Sequence, residues 1–169
     1  AVGGTALDIG SGAVITDGHA AVYGGNIGAG SSTTRITVSG GVISGGYARN
    51  AGDNICLLGS PTLHVSNAAV PGNIYGDAGT VQLSGSATVT GGSKYNIYFK
   101  SGCLQLAENW RGAAGVKWSA ASFQYGQILP TENASAAPFT GRLHYDGISS
   151  RPALLYSQEG LVVAKTLLV

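Results

Sequence analysis

From Leu7 onward, short apolar–polar–apolar triplets recur along the chain, each followed by small residues, a further apolar residue and turn formers. The first copy runs from Leu7-Asp8-Ile9 to Ile15-Thr16-Asp17-Gly18, and the second from Ile36-Thr37-Val38 to Ile43-Ser44-Gly45-Gly46. The third runs from Leu63-His64-Val65 to Val70-Pro71-Gly72-Asn73, and the fourth from Val81-Gln82-Leu83 to Val89-Thr90-Gly91-Gly92. A fifth triplet, Leu104-Gln105-Leu106, opens a copy that then decays. Alternation with a period of two predicts β-strands, and the Ser, Thr, Asn and Gly between them predict tight turns. No stretch of the first hundred residues has helical periodicity.

A second marker keeps step with the triplets. Asn-Ile occurs at Asn26-Ile27, Asn54-Ile55, Asn73-Ile74 and Asn96-Ile97, and precedes the next triplet by 10, 9, 8 and 8 residues. Two independent markers in register identify an internal repeat. The triplets begin at 7, 36, 63, 81 and 104, so the repeat averages about 24 residues, enough for three short strands. The arrangement expected is all-β: a right-handed parallel β-helix, or β-solenoid, of about four to five coils. Residues 1–110 would form the repeat coils, and 111–169 a divergent β-rich C-terminal coil or cap, all in one domain. One strand lies near each Asn-Ile, one at each triplet, and one ends at each Ser/Thr-Gly-Gly corner. The first and third triplet positions then point inward as aliphatic ladders, because branched side chains fit a pleated, buried surface. The repeated Asn suits a corner, where its amide bonds backbone and tolerates unusual dihedrals. A single repeat cannot bury its own apolar face, so stability must come from stacking on its neighbours.

The strings ITVSGGVISGG, VQLSGSATVTGG and NIYFKSGCLQL resemble the glycine-rich repeats of pectin-lyase-like parallel β-helix regions in large surface proteins of gut Firmicutes. The resemblance covers residues 1–110 or so. It implies an exported bacterial protein, secreted or at the cell surface, with an adhesive, glycan-associated or spacer role, and flanking domains in a larger chain. Fold alone does not fix function.

Composition agrees with an ordered, repetitive chain: 44% hydrophobic residues, 10% charged, and 28 glycines in 169 positions. The net charge is +1 and the nine Lys and Arg are scattered, so the clustered basic face of a nucleic-acid partner is missing. No apolar run reaches the roughly 20 residues of a membrane helix. No signal peptide opens the chain and it has no methionine, which leads us to expect a fragment of a longer, exported protein. Cys56 and Cys103 lack metal-ligand spacing and read as free thiols, with a disulfide open if two coils bring them together.

Candidate chemistry is sparse. The outward triplet column reads Asp8, Thr37, His64, Gln82, Gln105. A polysaccharide lyase or hydrolase needs clustered carboxylates on such a face, for calcium or for acid–base work, and this column holds one. His19 and His144 each have an aspartate nearby in sequence, a common pattern with no further constellation behind it. A Thr-x-Thr ice-binding column is absent from the triplets. No catalytic residue, metal ligand or cofactor is therefore assigned. The aromatics are more informative. Tyr75 and Tyr98 follow Asn-Ile in successive copies, so they should stack facing outward, with Tyr95, Trp110 and Trp118 nearby. Exposed Tyr and Trp offer rigid, amphipathic area for a sugar ring or a partner protein. The same residues could instead cover the end of the solenoid, whose open strand edges also invite self-association. The expectation is a non-catalytic module that binds a glycan or host protein, with a passive spacer as the alternative and an enzyme as a distant third. In the tail, Gly115–Trp118 and Gly141–Tyr145 read as apolar pieces, Ala153–Tyr156 with Leu161–Ala164 as a hairpin, and 130–138 as a loop.

Overall fold

The structure, a computed structural model, describes residues 6–107, 109–119, 128–129, 131–132, 142–146, 154–157 and 160–163. Among these there is no helix. The chain is all-β, and its two large sheets are parallel.

The first sheet is built from the triplets. Its strands are β1 (Ala6–Ile9), β5 (Arg35–Val38), β9 (Thr62–Ser66), β12 (Thr80–Ser84), β15 (Cys103–Leu106) and β18 (Thr131–Glu132), in that spatial order. Each strand pairs in parallel with the strand one repeat away. Leu7, Ile36, Leu63, Val81 and Leu104 are aligned, as are Ile9, Val38, Val65, Leu83 and Leu106. From the second copy on, both ladders are buried.

The second sheet holds two stacks. One contains β2 (Val14–Thr16), β6 (Val42–Ser44), β10 (Ala69–Val70) and β13 (Thr88–Val89). The other contains β4 (Ile27–Ala29), β8 (Ile55–Leu57), β11 (Ile74–Gly76) and β14 (Ile97–Phe99), each opening on the Ile of an Asn-Ile pair. A single strand, β16 (Ala114–Trp118), joins them, with Ala114 beside Val89 and Val116 beside Ile97. β19 (Leu143–Tyr145) then pairs with β16. The strand predicted at the Ser/Thr-Gly-Gly corner and the strand predicted at Asn-Ile thus belong to one sheet. The inward residues of both large sheets form one apolar cluster, which includes Ile43, Val70 and Val89 from one stack and Ile55, Ile74 and Ile97 from the other. At roughly 25 cal/mol per Å² of apolar area removed from water, this burial is the main stabilising term.

One ladder position shows how tightly the copies fit. Leu57, Gly76 and Phe99 are in register, and a Cβ on Gly76 would lie 2.8 Å from the Phe99 ring. Glycine there leaves room for the Phe99 ring, which is fully buried.

The distance along the chain between the two stacks changes from copy to copy. It is 12 residues from Ile15 to Ile27 and from Ile43 to Ile55, 4 from Val70 to Ile74, 8 from Val89 to Ile97, and 2 from Ala114 to Val116. The two long spans carry an extra parallel pair that the sequence reading did not foresee, β3 (His19–Ala20) with β7 (Tyr47–Ala48), and a bridge from Tyr23 to Ala51. They form a side lobe on the first two copies.

At the other end of the chain, β20 (Leu154–Ser157) and β21 (Gly160–Val163) form the expected hairpin, and β17 (Ile128–Leu129) adds an antiparallel third strand. Part of the stretch expected to be a loop is strand instead: Thr131–Glu132 continues the first sheet, because residues 104–105 still offer it a pairing edge. The rest of 130–138 lies outside the described residues. No disulfide joins Cys56 and Cys103, which sit in different sheets as free thiols. Burial, with a contribution from Asp77, pushes the Cys56 thiol up to about 12, so it is neutral and acts as a small apolar side chain.

Candidate functional site

The residue after each Asn-Ile faces away from the core, and Gly28, Cys56, Tyr75, Tyr98 and Lys117 form one column across the second sheet. The Tyr75 and Tyr98 rings lie 5.7 Å apart. Two further tyrosines extend this pair. Tyr23, from the side lobe, stacks near-parallel on Tyr75 with centroids 6.3 Å apart. Tyr95 lies 5.5 Å from Tyr98. All four line an open groove of about 520 Å³, together with Arg49, Asn50 and Ala51.

The uneven spans between the stacks create this groove. The third copy has only Pro71-Gly72-Asn73 where the first two carry the lobe, which leaves a gap beside it. The fourth copy's longer turn crosses that gap. The Gly52 amide donates to Tyr95 Oη at 2.8 Å, and Lys94 Nζ reaches Asp53 at 3.0 Å. Asp53 is buried and also accepts from the Ala48 amide, so it fixes the lobe from within. Burial outweighs the Gly52 bond and holds the Tyr95 phenol at about 12. Burial and Asp77 likewise push Tyr75 up. At neutral pH both phenols are therefore uncharged.

Because its oxygen accepts from the Gly52 amide, Tyr95 is anchored to the lobe while its ring lines the groove. Tyr95→Phe is expected to leave the Gly52 amide without a partner, at about 1–2 kcal/mol. In amide hydrogen exchange, Gly52 and its lobe neighbours should lose protection while the strand amides of β9 and β12 keep theirs. Unchanged Gly52 protection would show that the crossing turn does not hold the lobe.

Of the aromatic residues singled out from sequence, the structure brings Tyr75, Tyr95 and Tyr98 together. Trp110 must be reassigned. It is fully buried and its indole Nε1 donates to the Ala87 carbonyl at 2.8 Å, so no ligand can reach it. An indole is largely apolar with one donor, and a core position that supplies one acceptor satisfies it completely. The backbone of Trp118 pairs with Phe99 at the end of β16, and its side chain lies outside the described residues. Tyr23, Arg49 and Asn50 were not anticipated. Their signal was the equal 12-residue span of the first two copies, which marks a shared insertion rather than ordinary turn variation.

The outward triplet column is in register as read, and the backbone of Glu132 pairs beside Gln105. Neighbours along it bond to one another or nearby: Gln82 donates to Gln105, and His64 Nε2 lies 2.8 Å from Ser84 Oγ. Its two carboxylate residues, Asp8 and Glu132, stand at opposite ends, five strand spacings or roughly 24 Å apart. His19 packs on Tyr47, with rings 5.5 Å apart, in the first copies, whereas His144 lies on β19 at the far end of the second sheet. Among the described residues, no group of three or more His, Cys, Asp or Glu could hold a metal ion.

No family model, no curated protein and no solved structure matches the chain.

Proposed function

We propose that the chain is a right-handed parallel β-solenoid of four to five coils with a β-rich C-terminal cap, and that it is a non-catalytic module that holds a glycan in the tyrosine groove. In this reading it works outside a bacterial cell, secreted or on the surface, as one part of a larger protein. The solenoid reading is supported by the repeat-to-repeat parallel register of both large sheets. The resemblance to pectin-lyase-like surface repeats supports the location.

The observation that carries the binding reading is the row of four tyrosines along an open groove. Sugar rings present C–H faces that pack on aromatic rings, and hydroxyl edges that suit phenol, amide and guanidinium groups. The rings are partly exposed, while the aliphatic ladders behind them are buried and rigid. The groove is therefore pre-formed, which limits the ordering cost of binding. A polysaccharide-cleaving role is disfavoured on the triplet column, since a glycosidase pair needs carboxyl groups about 5–9.5 Å apart. A passive spacer is the second reading. The self-bonded polar column of the first sheet favours it, because such a face leaves few groups for a ligand.

The test is a glycan-array screen of the purified chain beside the Tyr75→Ala/Tyr98→Ala variant. Each lost stacking contact is worth about 0.5–1.5 kcal/mol, so the double variant should bind roughly thirtyfold more weakly. No binding to any saccharide by a folded chain would move the assignment to the spacer.

A further inference from the structure

We propose that the groove selects saccharides that carry a negative charge, with Arg49 as the residue that makes the selection. The proposal rests on the glycan reading above and adds to it the charge of the ligand.

The inference follows from which charges around the tyrosines are already committed. Two carboxylates lie close to the row. Asp53 pairs with Lys94 Nζ at 3.0 Å, and Asp77 pairs with Lys100 Nζ at 2.9 Å. Two cations are not so matched. Arg49 lines the groove, is exposed, and forms no ion pair with any described residue. Lys117 stands at the other end of the row, its Nζ 5.9 Å from the centre of the Tyr98 ring, also with no described carboxylate partner. The chain as a whole is almost neutral, at +1, so this local excess of positive charge is a property of the groove rather than of the protein.

Position decides between the two cations. Lys117 already engages a ring face, and an ammonium is a compact, strongly hydrated charge. Arg49 comes from the lobe and shares the groove wall with Tyr23. Its guanidinium is a planar fork that can grip a carboxylate or sulfate through paired N–H···O bonds. A saccharide that packs its ring on Tyr75 or Tyr23 can then set an acidic substituent against Arg49. A neutral sugar gains the stacking and ordinary hydroxyl hydrogen bonds, but no charge-assisted pair.

The experiment uses the intact chain and an array with matched saccharide backbones in neutral, carboxylated and sulfated forms, read at low and high salt. The acidic forms are expected to bind about tenfold more tightly than their neutral parents at low salt, as one charge-assisted contact allows at a partly exposed site. The margin should shrink at high salt. Arg49→Gln, an exposed position with no described side-chain bond, should bring the ratio of acidic to neutral binding to about one, whatever the neutral form itself loses with the guanidinium. Preference for one acidic form alone would support paired bonding fitted to that group, and equal preference for both would support selection by charge; either upholds the proposal. Equal binding of neutral and acidic forms, or a preference that survives Arg49→Gln, would overturn it and leave the glycan reading standing. Failure of every saccharide to bind would overturn both.

Discussion

Asn54→Ala is expected to lower folding stability by about 3 kcal/mol, through lost hydrogen bonds. Asn54 is buried in the row of repeated asparagines. Its Oδ1 accepts from the Gly46 amide at 3.2 Å and from Asn26 Nδ2 at 3.0 Å. Its Nδ2 donates to the Gly72 carbonyl at 3.0 Å, in the next copy. One side chain thus closes its own corner and ties it to the corners on either side. Alanine would leave the Gly46 amide and the Gly72 carbonyl unpartnered, at roughly 1–3 kcal/mol each. Asn50→Ala, on the exposed lobe, provides the comparison and should change stability by less than about 0.5 kcal/mol. Urea unfolding of the three proteins measures the difference. Equal stabilities for the two variants would mean that the asparagine row is incidental.

The row has a defined end, which explains why the repeat can decay after Leu106. Asn96 Oδ1 accepts from the Gly92 amide at 2.9 Å, as Asn26 and Asn54 accept from the Gly18 and Gly46 amides of their own corners. In the next copy the position is Gly115, not asparagine. A Cβ there would lie 2.4 Å from the Asp146 carboxylate and from Asn96 Nδ2. Asp146 takes that space and accepts from both the backbone amide and Nδ2 of Asn96, at 3.0 and 2.9 Å. A residue 50 positions away in sequence closes the row.

That contact marks where sequence reading stops. The two aliphatic ladders were legible because burial on one face forces a period of two, and each triplet states it locally. The asparagines were legible as corner residues but for a partly mistaken reason. Of the four, only Asn73 has a positive φ, 55°, so backbone tolerance explains one of them. The side-chain bonds between neighbouring corners account for the row as a whole. Tyr75 and Tyr98 were legible because they follow the marker by one residue. The groove around them was not, since it comes from a difference between copies: a lobe on the first two, a gap at the third and a crossing turn from the fourth. Arg49 becomes a groove residue only when those unequal spans are superposed.

Trp110→Ala should cost about 3–5 kcal/mol and separate a core role from a ligand role. The side chain is fully buried in the same apolar cluster as Leu106, Ala114 and Leu143, beneath the decayed fifth repeat. Alanine removes the large ring and leaves a cavity that rigid neighbouring strands cannot fill. It also removes the donor to the Ala87 carbonyl, whose residue is itself fully buried. The midpoint of thermal unfolding should fall by roughly 10 °C for a chain of this size. Trp110→Phe keeps most of the apolar volume and loses the hydrogen bond, so it should cost less, about 1–2 kcal/mol. Groove binding by the folded Trp110→Phe protein should match that of the unchanged chain, because the indole contributes nothing to the tyrosine row. Weakened binding at unchanged stability would return Trp110 to the ligand site; the graded stability loss with intact binding would fix it as the core residue that takes over where the aliphatic ladders end.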